Sequence, residues 1–307
     1  MKYINVGIFQ DDRIGKDLGK RESETDIVMH SRKTDNCIYT FLQPRDDRLE
    51  TKAEIMSVID AAIISFENIT PSLGETVLML DAFGISEGVA VVPPYAELNR
   101  ITAITKGTSL ESYHMKKNDP AEIMEVLSAL SPKRDSSSAP AIRIDQAFSV
   151  RGVGEVALGF VTMGTVRKFD KLEILPGNRE VIIRSIQVHD KDVGSAEAGV
   201  RIGIAVKGAE SKDMGRGCII CGPGQAECGS RIELSFTRNR FYSGEISGRK
   251  CHATVGMETV PVSVECRDGS KVIITSEKPV AYTKYDRFIL IDMNAKTVHL
   301  IGYGKPA

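Results

Sequence analysis

Apolar runs and helical spacing alternate along the first 130 residues. KYINVGIF is apolar enough for a strand covered on both faces, and DIVMHSRKTDNCIYTFLQP places two more strands around a polar turn. RLETKAEIMSVID carries its apolar positions at helical spacing, and AAIISF reads as the next short buried strand. SLGETVLMLDAFG is helical and stops at a glycine, as a helix C-terminus does. GVAVVPP is a strand stopped by two prolines, YAELNRITAITKG a helix and SYHMKK a short strand. DPAEIMEVLSAL closes the series as a helix, with Asp119 as its cap and Pro120 at its first position. Strands alternating with helices predict a parallel α/β sheet.

The pattern changes at SPKRDSSSAPAI, a polar, serine-rich stretch that reads as a linker. Beyond it the helical period disappears. Short alternating strands separated by glycine turns run to the end, from GEVALGFVTMGTVRK to KVIITSEKPVAYTKYDRFILIDM, and predict β-barrels. Gly222-Pro223-Gly224 is the expected break between two of them. The expected organisation is an α/β domain over residues 1–134, a linker over 135–141 and barrels over 142–223 and 224–307.

Composition narrows the class. Hydrophobic content of 42% and charged content of 26% suit a soluble globular protein. The chain has no apolar run of membrane-spanning length and no signal-peptide pattern, so a cytoplasmic protein without membrane contact is expected. Charge is uneven. Residues 1–135 carry 16 Lys and Arg against 22 Asp and Glu, whereas residues 231–307 carry 12 against 8. A polyanion would find its better electrostatic host toward the C-terminus. Cys218-x-x-Cys221 with Cys228 has the start of a zinc spacing but lacks a closely spaced second pair. The apolar run GCIICG favours small buried hydrophobes there, and no metal site is expected.

One loop carries candidate chemistry. GIFQDDRIGKDLGKR follows the first strand and resembles a phosphate-binding loop, G-x-x-x-x-G-K-[ST]. Gly15 and Lys16 match, Gln10 stands at the first glycine, and Asp17 stands at the hydroxyl that would hold Mg²⁺. The most specific resemblance lies further on. The pieces are Asp145 with Phe148, the hairpin RGVGEVALG, FDKLEILP, IRSIQVHD, AEAGVRIGIAVKG and RGCII. Their order over about eighty residues resembles the second domain of translational GTPases, in the branch of elongation factor Tu and the selenocysteine-specific elongation factor. YDRFILIDMNAKTVHLIGYG is similar to the closing strands of the family's third domain. The implied fold is an α/β P-loop GTPase-like domain followed by two antiparallel β-barrels.

The resemblance also says what the first domain should contain. A GTPase cradles phosphates on backbone amides and a lysine, holds Mg²⁺ on hydroxyls, senses the γ-phosphate with Asp-x-x-Gly and reads guanine with Asn-Lys-x-Asp. Here Gly15, Lys16 and Asp17 are the remnant of the first element. In YTFLQPRDD, Gln43, Asp46 and Asp47 stand where the family has Asp, Gly and His. In PPYA, Pro93, Pro94 and Ala96 stand for Asn, Lys and Asp. The switch segment has no counterpart of the expected length. Every element is altered, so the expectation is a scaffold without GTPase activity and with no bound cofactor. GTP and Mg²⁺ enter only under the alternative, a divergent but active GTP-dependent factor of the selenocysteine type.

The barrels are expected to keep a role. In the family the second domain holds the aminoacylated 3′ end of tRNA and the third grips its acceptor and T arms. The selenocysteine branch reads its amino acid with an Asp-Arg pair and a later arginine, which fall here on Asp145, Gln146 and Arg216, the middle one departing. Asp145 and Arg216 are equally suited to a structural pair. Arg238, Arg240, Arg249, Lys250 and Lys284 are the candidate RNA contacts of the third domain. The expected partners are tRNA or the ribosome, together with a translation-factor protein. A second alternative is a protein-interaction scaffold that touches no nucleic acid.

Overall fold

The structure, a computed structural model, describes residues 1–268 and 270–307. The first domain runs β1 (Lys2–Phe9), α1 (Ile14–Leu18), β2 (Lys20–Glu24), β3 (Ile27–Lys33), β4 (Cys37–Pro44), α2 (Leu49–Met56), β5 (Ala61–Ser65), α3 (Pro71–Phe83), β6 (Gly88–Val91), α4 (Leu98–Thr105), β7 (His114–Lys116) and α5 (Pro120–Ala129). Its seven-stranded sheet has the order β2-β3-β4-β1-β5-β6-β7. The pairs β4–β1, β1–β5, β5–β6 and β6–β7 are parallel, while β2 and β3 add an antiparallel edge.

Side-chain period explains the layering. Ile4, Val6 and Ile8 of β1 point to one face with Tyr39, Phe41 and Ile63, and there they meet Ile14 and Leu18 of α1 and Ile123 and Leu127 of α5. The helices start and stop where local chemistry dictates. The Thr70 hydroxyl accepts the Leu73 N–H, Pro71 opens α3, and Gly84 closes it at φ 69°. Asp119 accepts the N–H groups of Ala121 and Glu122 ahead of Pro120.

The barrels follow as β8 (Ala141–Val150), β9 (Gly154–Met163), β10 (Thr165–Arg167), β11 (Lys171–Leu175), β12 (Arg179–Val188), β13 (Lys191–Val193), β14 (Ser195–Glu197), β15 (Arg201–Lys207) and β16 (Ile219–Cys221). The ring β11-β16-β8-β9-β15-β12 closes through β11–β12, and β10 with β14 forms a separate ribbon. The second barrel is β17 (Glu227–Arg238), β18 (Lys250–Val255), β19 (Glu258–Asp268), β20 (Lys271–Tyr282), β21 (Phe288–Ile291) and β22 (Leu300–Pro306), closed in the order β17-β20-β19-β18-β21-β22.

The chain separates into two units, Met1–Pro132 with Asn294–Leu300, and Lys133–Met293 with Ile301–Ala307. In the first, the buried carboxylate of Glu75 on α3 accepts the His299 N–H at 2.6 Å and the Leu300 N–H at 3.4 Å, and lies 3.0 Å from His299 Nδ1. The second holds both barrels, joined in part through Arg143 of β8. Its guanidinium, 3% exposed, pairs with Asp286 ahead of β21. Gly256 admits it closely, since a Cβ there would lie 2.1 Å from Arg143 Nη1. Burial pushes the nearby Glu258 carboxyl above its ordinary value, against the pull of Arg143 and Lys278.

Candidate functional site

The cleft above the C-terminal ends of β1 and β4 has a volume of about 570 Å³. Open α/β sheets bind ligands at this end of their strands. Its lining comes from Gln10 to Arg13, from Gln43 to Asp47, from Lys52, and from Glu67 and Asn68. A second hollow of about 330 Å³ shares Glu67 and Asn68 and is walled by Pro93, Tyr95 and Ala96.

The resemblance assigns Gly15, Lys16 and Asp17 to a phosphate loop, and in the structure they lie on α1. None of the three lines the cleft. Lys16 and Asp17 are exposed on α1, a helix of five residues. Gly15 is buried, and a Cβ there would meet Gln43 Oε1 at 2.7 Å and His30 Nδ1 at 2.9 Å. Its missing side chain lets α1 settle on β3 and β4, which is a packing reason for a glycine and needs no phosphate. Burial, then Arg21 and Lys16, pushes the His30 pKa down, so the ring under Gly15 favours its neutral form.

Gln10, which stands at the motif's first glycine, has a left-handed backbone at φ 70°. Its amide nitrogen donates to Ser72 Oγ at 3.2 Å and Thr76 Oγ1 at 3.0 Å, which holds that conformation in place. Two of the loop's amides bond to the loop itself. The Arg13 N–H goes to Asp11 Oδ1 at 2.9 Å and the Lys16 N–H to the Arg13 carbonyl at 3.1 Å.

The floor of the cleft holds a lysine that the motif does not predict. Lys52 of α2 is 1% exposed, and its ammonium donates to Ser72 Oγ at 2.9 Å and Thr76 Oγ1 at 3.1 Å and pairs with Asp47 at 2.5 Å. All three N–H groups are committed. Several of the other charges are also paired within the chain. Arg13 bridges Asp11 and Glu67, and Arg48 holds Asp46 at 2.9 Å. Burial works upward on Asp11, but the Arg13 hydrogen bonds prevail and hold it below the usual carboxylate range; Arg48 does the same for Asp46. Five carboxylates, those of Asp11, Asp12, Asp46, Asp47 and Glu67, face three cations, Arg13, Arg45 and Lys52. Gln43 donates to the Asp12 carbonyl at 3.2 Å, and Pro93 and Ala96 offer the second hollow no carboxylate of their own.

In the barrels the structure brings Asp145 and Arg216 together. The register of β8 against β9 slips between Ile144 and Gln146, so Asp145 is the extra residue of a bulge. Its buried carboxylate accepts from Arg216 Nη2 at 3.0 Å. Gln146 follows in β8, half-buried. Burial pushes the Cys218 and Cys221 thiols up to about 11 and about 12, away from the thiolate that binds metal.

The five candidate RNA contacts divide. Arg249 is anchored internally: its Nε donates to Asp292 at 2.9 Å, its Nη2 makes a second contact there, and the Tyr242 hydroxyl donates to the same oxygen at 2.9 Å. Arg238 donates to the carbonyls of Tyr242 at 3.0 Å and Gly244 at 2.8 Å. These two arginines hold the turn after β17. Arg240 lies 4.7 Å from the exposed Phe241 ring and Lys284 lies 5.1 Å from the exposed Tyr285 ring, while Lys250 is exposed in β18. Those three remain on the surface.

An α/β domain with a ligand-type cleft ahead of two six-stranded barrels is the architecture of a translational elongation factor. Residues 154–221 match the profile of elongation factor Tu domain 2. An uncharacterised protein of Methanocaldococcus jannaschii is 34% identical over 99% of this chain and 100% of its own. The selenocysteine-specific elongation factor of the same organism is 25% identical over 99% of this chain and 80% of its own. The crystal structure of translation elongation factor SelB from Methanococcus maripaludis, in complex with the GTP analogue GppNHp, superposes with a TM-score of 0.85 at 23% identity, covering 100% of this chain and 79% of that one. The chain belongs to the translational GTPase family, in the branch of elongation factor Tu and the selenocysteine-specific factor.

Proposed function

We propose that this protein is an elongation-factor relative that works without binding or hydrolysing GTP, and that it engages tRNA or the ribosome through its barrels. The observation that carries the first part is the internal saturation of the cleft. Buried Lys52, Arg13 and the loop N–H groups of Arg13 and Lys16 all bond to the chain's own groups, and the net charge of the lining is negative. A nucleoside triphosphate entering there would displace those partners and meet Asp11, Asp12, Asp46 and Asp47, a repulsion that a low-dielectric cleft strengthens.

The RNA part is supported by what the barrels present. Relatives named as a selenocysteine-specific elongation factor and a translation elongation factor share this architecture. Arg240 on Phe241 and Lys284 on Tyr285 are exposed cation–aromatic pairs, the chemistry that stacks bases and neutralises phosphates together. Filter binding of total tRNA is expected to give saturable binding that weakens as salt rises, with a slope on a double-logarithmic plot set by the phosphates contacted. Combined Arg240→Ala and Lys284→Ala should lower the affinity and flatten that slope, whereas binding with no salt dependence, or none at all, defeats the RNA reading. The fully buried acidic partner of Arg249 argues that Arg249→Ala will instead act on stability.

A further inference from the structure

Phe169 sits in the turn from β10 to β11 at φ 72°, and its ring is 76% exposed. Both properties are costly for an aromatic residue. A left-handed backbone crowds the Cβ of an L-residue against its own carbonyl. Exposure returns none of this through burial. Four other described non-glycine residues share a positive φ. Asn178, His189 and Asp190 are types that tolerate it, and Gln10 is held by two side-chain hydrogen bonds. Phe169 has neither excuse.

The turn itself is rigid. The Phe169 N–H donates to the Ile183 carbonyl at 2.7 Å, the Ile183 N–H donates to the Asp170 carbonyl at 3.1 Å, and Asp170 Oδ2 accepts the Arg167 N–H at 2.7 Å. A glycine would serve this turn with less strain, so the folded state alone gives no reason for a phenylalanine. The surroundings indicate what the ring faces. Arg167, Lys168 and Lys171 flank it in sequence, and Arg184 is the extra residue of the β12 bulge directly after Ile183. Arg167, Lys171 and Arg184 are exposed. The Asp170 carboxylate is already spent on the turn.

We infer that the Phe169 turn is a base-stacking contact for single-stranded RNA, with the ring taking a base face and Arg167, Lys168, Lys171 and Arg184 taking the flanking phosphates. This rests on the RNA reading above and names a surface on the first barrel, on a turn other than the one carrying the Asp145–Arg216 pair. Stacking on an isolated aromatic suits any base, so little sequence preference is expected at this contact.

The decisive variant is Phe169→Gly in the full chain, because it cannot fail by misfolding from strain. Its melting temperature should rise while its affinity falls. The probe is a fluorescein-labelled single-stranded RNA of about 12 nucleotides, read by anisotropy, beside a blunt duplex of the same sequence. The variant should bind the single strand about 5- to 100-fold more weakly, the range that loss of one base–aromatic stack produces. The salt slope should stay unchanged, since every cation remains. Phe169→Trp should restore the affinity without the gain in stability. A Phe169→Gly protein that is more stable yet binds the single strand like the original overturns the inference, as does one whose stability does not rise. A loss confined to binding of an oligo-glutamate peptide, with RNA affinity unmoved, assigns the turn to an acidic protein partner and also overturns it. Absence of RNA binding by the unaltered chain is a different outcome, the failure of the underlying RNA reading.

Discussion

Asp292→Ala should destabilise the barrel unit by about 1–3 kcal/mol, the cost of leaving a buried donor without its acceptor. Asp292 is fully buried and accepts from the Tyr242 hydroxyl and from two nitrogens of Arg249. Removing the carboxylate leaves a phenol and a partly buried guanidinium without their acceptor. Burial, followed by Asp292, already pushes the Tyr242 hydroxyl up to about 12, so the phenol is neutral and donates throughout the physiological range. Asp292→Asn keeps an acceptor for Tyr242 and should cost less than the alanine. Denaturant unfolding followed by a barrel-specific probe measures both, and a loss below about 1 kcal/mol would mean the pair behaves as a solvated surface bridge. Arg249→Ala should fall in the same direction, since half of the same pair is removed.

Asp286→Ala is expected to cost more, about 3–5 kcal/mol, because the cation it strands is buried. Arg143 is embedded against Gly256, and Asp286 is its paired carboxylate. Glu258 stays nearby but carries its own burial penalty and is a poor substitute. The double change Arg143→Met with Asp286→Leu should recover most of the loss, because a buried pair replaced by apolar groups of similar size is often neutral. The same unfolding measurement separates the outcomes. A double variant no better than Asp286→Ala would show that packing volume, and not the stranded charge, sets the cost.

Much of the fold was legible because its signals are local. The apolar runs of β1, β4, β5 and β6, the Asp119 cap and the shift to period-two patterning all follow from neighbouring residues. β2 was not legible: KRESE is an exposed edge strand with no apolar side, and pairing with β3 alone makes it a strand. α1 has only five residues, too few for a helical period to show. The site was legible as a place and not as an arrangement. The motif located the loop, but Lys52 looks like one more charge on an amphipathic helix until Ser72 and Thr76 of α3 are brought beneath it. Arg249 reads as a basic surface residue because its acceptor lies 43 positions away. Gly15 survives in the motif for a contact with His30 and Gln43 that no motif describes. In each case a partner distant in sequence decides the role.

The cleft pairs Lys52 with Asp47 and Arg13 with Asp11 and Glu67, and GTP is expected to find no site there. Titration of the full chain with a fluorescent guanosine triphosphate analogue in the presence of Mg²⁺ tests it most directly. No saturable binding is expected below about 1 mM, corresponding to a binding free energy weaker than about −4 kcal/mol. A micromolar Kd that disappears with EDTA would contradict it and establish the chain as a GTP-binding factor.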